Sequence, residues 1–585
     1  LTGAFIFTAT ILPSPASDRV AIIMAVTVSI NPQTSSAVAG TSLFAVGESL
    51  GIQVPSSCRQ QGKCRECLME IIEGGAGLTA PAEAEQHLRG AFRLSCCARL
   101  LEGAGPIRAQ TMRRATMRVE ASAMNLPAAA HVSQPDPAVT RVGDRVLLDG
   151  QEIARSTGPL LGLALDLGTT TIVLRAVDLE SGKIVAQASF ENPQRFGGTD
   201  VMARIQYDTD YPGHLLQRTL LGYLTRTIEQ LPIDPLCIYE IVVAGNSTMR
   251  DLFWGLDVRS IGQKPYWSQT EHAYRTGQTT TTAVSCAARE LRLPCHPQAR
   301  LYALPIVGGH VGGGAPPRPL GAGRVGGPPP PCLLAVAPHH SDELVAIMDL
   351  GTNTELFIGN RQKLLAASCP AGPAFEGRAI SCGMPGLDGA IEKISLSSES
   401  TAPVIQVIGD GLPEGICGSG LIDLLSELRR TDRLNEYGRF EDGTSEFSVT
   451  ANPAISFSES DINELAQAKG ANVAGLLTVA KAYGTTLAQL DRFYLAGGFG
   501  RHLDLTAARR IGLIPDLPDE KIVQIGNAAI AGACVALLSV TRRRELEALV
   551  KTIRHVELET DPGFFDHFVQ GCQFNPIRMQ PEATA

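Results

Sequence analysis

The sequence predicts an α/β protein with a small α+β domain at its N-terminal end, and three observations support this. The chain has 585 residues, more than one core can hold, because single cores stop growing at ~250–300 residues. From Leu161 onward, apolar runs ending in Gly/Thr loops alternate with helical stretches, the pattern of an α/β layout. Two of those runs repeat each other: Leu163-Ala164-Leu165-Asp166-Leu167-Gly168-Thr169-Thr170 and Ala346-Ile347-Met348-Asp349-Leu350-Gly351-Thr352-Asn353. Such a distant repeat predicts two similar lobes facing each other across a cleft.

Composition narrows the function classes. Fifty Lys+Arg against 59 Asp+Glu give a net charge of −9, which opposes nucleic-acid binding by the whole chain. A hydrophobic content of 44% is too high for a disordered chain. No run approaches the ~20 apolar residues of a membrane helix, and the first 30 residues are broken by Pro13, Pro15, Asp18 and Arg19, without a signal-peptide start. Met24 directly precedes a strand-like run, so residues 1–23 are expected to be a disordered or misassigned extension. Fourteen cysteines are too sparse for a disulfide scaffold. Their clustering suggests metal chemistry in the reducing cytoplasm.

Taken in order, Ala25–Ile30 alternates like a half-buried strand, Ser42–Leu50 reads as a short helix, and Cys67–Ile72 as a second strand. Residues 102–140 read as a linker, helical at its start, and Arg145–Leu148 as a strand turning at Asp149-Gly150. Between Gly308 and Pro331, 16 of 24 residues are Gly or Pro, which cannot form a buried helix. That composition fits a flexible insertion or a stretch read in a shifted frame, the second favoured because strand patterning resumes at Leu344.

Cys58, Cys64 and Cys67 give C-x5-C-x2-C, with Cys96 after a further 28 residues. Three thiolates on one loop and a fourth from a separate strand suit a 2Fe–2S cluster, whose plant-type spacing is one residue shorter in the first gap. Zinc, the competing reading, usually takes two short knuckles, and the sequence offers one. Cys97 adjoins Cys96, so either is a candidate fourth ligand, with Arg93-Leu94-Ser95-Cys96 favouring the first. Gly62 lets the loop bend and aim N–H groups at sulfur.

In each Asp-Leu-Gly-Thr loop the glycine lets backbone amides approach an anion and the hydroxyls add donors. A strand-end Asp can hold Mg²⁺ through waters. One such loop is as well explained by a tight hairpin, whereas two opposed copies suit a polyphosphate gripped from both sides. Phe493–Gly500, with Gly497 and Gly498, suits a backbone pressed against adenine or ribose. Ile241–Thr248 ends in small polar residues at the cleft, and Gly526–Ala533 reads as a small-residue helix between lobes.

Longer strings carry a family resemblance: Asn192-Pro193-Gln194 with Asp200-Val201 and Arg204-Ile205; Ala244–Met249; Pro370–Gly377 with Ile380–Met384; Gly415–Leu421; Ala496–Gly500; and Asp561-Pro562 with Phe565, Phe568 and Phe574. The chain resembles the ATP-dependent reductive activators of corrinoid proteins. The family pattern departs at Gly309–Pro316, where an acidic residue expected near Gly314 is absent.

The resemblance implies an N-terminal β-grasp ferredoxin-like domain and a two-lobed actin-like (ASKHA) ATPase. The expected divisions are 1–23 for the extension, 24–104 for the 2Fe–2S domain and 105–158 for a linker and reduced middle domain. Residues 159–340 and 341–576 are then ATPase lobes I and II. The implied activity is one-electron reduction of Co(II) to Co(I) on a corrinoid protein or cobalamin-dependent methyltransferase, fed by an upstream electron donor. The implied cofactors are the cluster, ATP and Mg²⁺; no nucleic acid or membrane is involved, and a homodimer is admitted. Cys58, Cys64, Cys67 and Cys96 would carry the electron. Asp166 and Asp349 would position Mg²⁺ and water, Gly168, Thr169, Thr170, Gly351, Thr352 and Asn353 would cradle phosphate, and Asn246 would orient the attacking water. The competing classes are a small-molecule kinase, a bare electron carrier with a degenerate ATPase lobe, and a dehydratase activator.

Overall fold

In a computed structural model, the described residues are 9–10, 23–112 apart from 32, 53, 57 and 59, 131–307 apart from 133 and 265, 331–577 apart from 398–401, 410, 453, 499, 501 and 502, and 579. The expectations for the extension lie outside this set except at 9–10 and 23, where the expected disorder is corrected: Ala9–Thr10 pairs antiparallel with Ile23 and Met24. Those for the Gly/Pro-rich stretch lie outside it except at Pro331. Among the described residues, no helix is long and apolar enough to cross a membrane.

The N-terminal sheet forms because Val26, Val28 and Ile30 point inward along the strand Ile23–Ile30. It pairs antiparallel with Gln33–Val38 and parallel with Ile107–Thr111, and the latter lies against Leu68–Glu73, which pairs with Phe92–Leu94. The helix Leu43–Ser49 starts at Ser42, whose hydroxyl accepts the Ala45 N–H at 3.2 Å, and buries Leu43, Phe44 and Val46. One expectation is corrected here. Residues 107–111, read as part of a linker with a helical start, form a central strand because Ile107 and Ala109 alternate into the core.

A three-stranded antiparallel sheet follows, Val139–Val142, Arg145–Leu148 and Gln151–Arg155. Its second turn has Asp149 and Gly150 both at positive φ, the hairpin geometry that Asp-Gly favours.

Two larger sheets share one plan. In the first, the order is Ile184–Glu191, Thr171–Asp178, Leu161–Leu167, Ile238–Gly245, Arg300–Ala303, with Val284–Ala287 at the edge. In the second it is Leu364–Cys369, Thr354–Gly359, Val345–Leu350, Arg492–Ala496, Ile522–Gly526, with Arg554–His555 beside the first of these. In both, three antiparallel strands precede two parallel ones. Every residue of Leu161–Leu167 is buried, as expected of a strand covered on both faces.

Between the sheets lie the helices Pro331–Val336 and Ala528–Leu538, packed on Ala164 and Val242 from one side and Ile347 and Phe357 from the other. A Cβ on Gly532 would meet the Pro331 carbonyl oxygen at 1.9 Å, so the close approach requires glycine. The helix expected from Gly526 starts two residues later: Gly526 ends a strand at φ 62, and Asn527 caps the helix by accepting the Ile530 N–H at 3.0 Å.

Candidate functional site

Two constellations emerge, one of thiols and one of loops. Cys58 and Cys64 lie in the segment after the helix Leu43–Ser49, Cys67 directly precedes the strand Leu68–Glu73, and Cys96 follows Phe92–Leu94. Leu68 pairs with Leu94, and the Ser95 N–H and hydroxyl both donate to the Cys67 carbonyl, at 2.8 and 2.9 Å. That pairing brings Cys67 Sγ within 3.3 Å of Cys96 Sγ. Buried Glu85 fixes the second strand by accepting from Arg93 Nε at 2.9 Å and the Leu94 N–H at 2.8 Å.

Two of the thiols, Cys58 and Cys67, are biased toward ionisation. Burial opposes it at Cys58, yet the N–H and side chain of Cys64 with the N–H groups of Gln61 and Lys63 bring Cys58 down to about 7. At Cys67 the hydrogen bond from Cys96 outweighs burial and also gives about 7, while that bond and burial push Cys96 up. The thiols therefore form two pairs, Cys58 with Cys64 and Cys67 with Cys96, a donor set that fits two irons sharing four thiolates. Cys97 Sγ is 3.8 Å from Cys96 Sγ and packs against Gly62, whose φ is 71.

The two Asp-Leu-Gly-Thr loops face each other. Thr170 Oγ1 lies 2.9 Å from Thr352 Oγ1, and the Glu376 carboxylate bridges both, accepting from Thr352 at 3.0 Å and from Thr170. At Gly168 a Cβ would meet the Thr171 carbonyl at 2.4 Å, so the turn requires glycine. Thr169, Thr352 and Asn353 are buried at the loops. Asn192 Nδ2 donates to the Gly168 carbonyl at 2.8 Å and Arg204 Nη2 to the Thr169 carbonyl at 2.7 Å. Asn246 caps the helix Ser247–Trp254 by accepting the Met249 N–H at 2.9 Å and donates to Thr169 Oγ1 at 3.3 Å.

Asp166 and Asp349 end the central strands of their sheets, opposite Ala244 and Ala496. Burial pushes Asp166 up to about 7, against the Asn527 amide that donates to it at 2.7 Å and with the help of Asp349. Burial likewise raises Asp349, which accepts from the Cys332 thiol at 3.0 Å. Glu355, paired with Asp349 across the strands, is raised well above its usual range by burial and then by Asp349. These carboxyls resist ionisation, and the charge of a hydrated divalent cation held through waters would reverse that resistance.

Gly497 and Gly498 differ. A Cβ on Gly497 would meet the Leu350 carbonyl at 2.1 Å, so its role here is close packing against the second loop's strand; Gly498 borders open space. Sequence reasoning assigned no role to Glu376, Glu355, Asn192, Asn527 or Cys332. Glu376 and Asn192 do fall inside the family-like strings Pro370–Gly377 and Asn192-Pro193-Gln194, the signal that points to them.

Residues 26–101 match the family described as 2Fe-2S iron-sulfur cluster binding domain, 161–315 the RACo middle region, and 343–584 the C-terminal domain of RACo, the ASKHA domain. The corrinoid activation enzyme RamQ of Eubacterium limosum is 30% identical over 446 residues, 71% of this chain and 70% of that protein. The chain belongs to the RACo-type family of corrinoid activators. A further relative, the Co(II) methylated amine-specific corrinoid protein reductase of Methanosarcina barkeri, is 23% identical over 436 residues, 70% of this chain and 76% of that protein. The solved reductive activator for a corrinoid, iron-sulfur protein aligns over 94% of this chain and 98% of its own, at 26% identity and a TM-score of 0.67. The RACo-type architecture, a ferredoxin domain joined to an ASKHA domain, is that of this chain, and the RACo middle region falls on the stretch expected as the first ATPase lobe.

Proposed function

We propose that this protein uses ATP to drive one-electron reduction of a partner protein's corrinoid from Co(II) to Co(I). The observation that carries the reading is that one chain of this family joins a paired-thiol loop to two facing loops of matching topology. Cys58 with Cys64, and Cys67 with Cys96, would hold the 2Fe–2S cluster, which supplies a one-electron carrier near about −400 mV in plant-type ferredoxins. N–H groups of Gln61, Lys63 and Cys64, turned toward Cys58 sulfur, favour the more negative state.

At the other site Gly168, Thr169 and Thr170, with Gly351, Thr352 and Asn353, would receive the phosphates of ATP. Asp166 and Asp349 would hold Mg²⁺ through waters, and Asn246 would orient the attacking water while keeping its helix capped. For one electron, each ~59 mV uphill costs tenfold in equilibrium constant. Nucleotide binding helps only as far as it discriminates between loop arrangements.

The test is anaerobic reduction of the corrinoid protein of a methyltransferase system, followed by the visible spectrum of the corrinoid, with and without ATP. Reduction that requires ATP is expected. Equal reduction without ATP would leave a bare electron carrier, and phosphate transfer to a small acceptor without corrinoid reduction would leave a kinase.

A further inference from the structure

We propose that Glu191 and Arg195 are positioning residues that carry the state of the nucleotide loops to the strands framing Cys67 and Cys96. The proposal rests on reading those loops as the ATP site.

Glu191 ends the strand Ile184–Glu191 and pairs with Thr171 at the foot of the first loop. Its neighbour Asn192 ties the loop twice, through its N–H to the Thr170 carbonyl at 2.7 Å and its side chain to the Gly168 carbonyl. The Glu191 carboxylate is ion-paired with Arg378, two residues beyond the bridging Glu376, and lies 3.9 Å from Arg195 Nε.

Arg195 then crosses to the cluster domain. It forms an ion pair with Glu70, donates to the Thr111 carbonyl at 3.0 Å, and sets its guanidinium over the Phe92 ring at 5.8 Å. Glu70 and Phe92 are direct cross-strand partners, one on the strand that follows Cys67 and the other on the strand that precedes Cys96. The Glu191 and Arg195 side chains are 5% and 3% exposed, so salt screens them little. Four alternating charges, Arg378, Glu191, Arg195 and Glu70, thus run from one site to the other.

The differential contact that would drive this chain is visible at its start. Glu376 accepts from the same two hydroxyls, Thr170 and Thr352, that a phosphate would use. Two anions cannot share those donors, so phosphate binding displaces Glu376. Arg378, two residues along, then shifts its hold on Glu191, and with it the seating of Arg195 on the cluster strands. A ligand that discriminates between two arrangements in this way couples distant sites.

The experiment uses the full chain with its cluster in place. Backbone hydrogen exchange is followed in residues 68–73 and 92–94, with and without a non-hydrolysable ATP analogue and Mg²⁺, alongside a binding titration. In the unsubstituted protein the analogue changes exchange in those strands by about fivefold or more, the usual scale of coupling. Arg195→Lys and Glu70→Gln bind the analogue equally well but lose most of that response. Glu70, at 21% side-chain exposure, keeps the test alive should the Arg195 variant fail to fold. A saturated protein with no response at the cluster strands, or a full response in both variants, overturns the proposal while leaving the ATP reading intact. Absence of analogue binding in the unsubstituted protein overturns both.

Discussion

Replacing Asp166 with Asn removes an ionisable group from a buried position that disfavours its charge. Asn527 still finds an oxygen acceptor at 2.7 Å, so the change isolates ionisation from hydrogen bonding. Burial lifts the folded-state value from 3.8 to about 7, so ionising this carboxyl in the folded protein costs about 4 kcal/mol at ~1.4 kcal/mol per tenfold change. A raised carboxyl stabilises the fold fully below its unfolded value, and that contribution is lost as pH climbs from 3.8 to about 7. Asparagine mimics the neutral form throughout. Its advantage therefore grows with pH, from about 2 kcal/mol near pH ~5 to about 4 kcal/mol near pH ~8.

Urea unfolding of nucleotide-free, Mg²⁺-free protein, following the ATPase transition, measures the difference. A gain independent of pH, or no gain near pH ~8, would refute the argument that burial keeps this carboxyl neutral. The same variant should lose ATP hydrolysis, since an amide cannot supply the charge by which Asp166 would hold Mg²⁺ through waters.

Four further substitutions test the remaining ligand, packing and capping assignments. Cys97→Ser should retain iron and inorganic sulfide in the reconstituted protein, whereas Cys96→Ser should lose most of both, because Cys96 and not Cys97 lies 3.3 Å from Cys67. Gly532→Ala, with a Cβ 1.9 Å from the Pro331 carbonyl oxygen, should cost about 1–3 kcal/mol by calorimetry through overpacking. Asn246→Ala should cost about 1 kcal/mol for the lost cap, and should slow ATP hydrolysis further than that loss explains, since its donor to Thr169 also disappears.

Much of this molecule was legible in its residues. The C-x5-C-x2-C spacing, the apolar runs ending in Asp-Leu-Gly-Thr and their repetition are local patterns, and local patterns report strand, turn and loop directly. What stayed hidden required distant residues to meet. Strand Ile107–Thr111 looked like a linker because five residues beside arginines carry little signal without the neighbours Val28 and Ile71 to pair against. Glu376, within a string that carries only family likeness, gains a role because folding places it on Thr170, 206 positions earlier. Cys96, already favoured over Cys97 by the residues before it, gains geometric support because the pairing of Leu68 with Leu94 brings its thiol to Cys67. Spacing along the chain thus determined which chemistry this protein carries, a thiol loop and two phosphate-type loops. The tertiary structure decided which groups share each site, because burial and strand register set the distances on which ion pairing and hydrogen bonding depend.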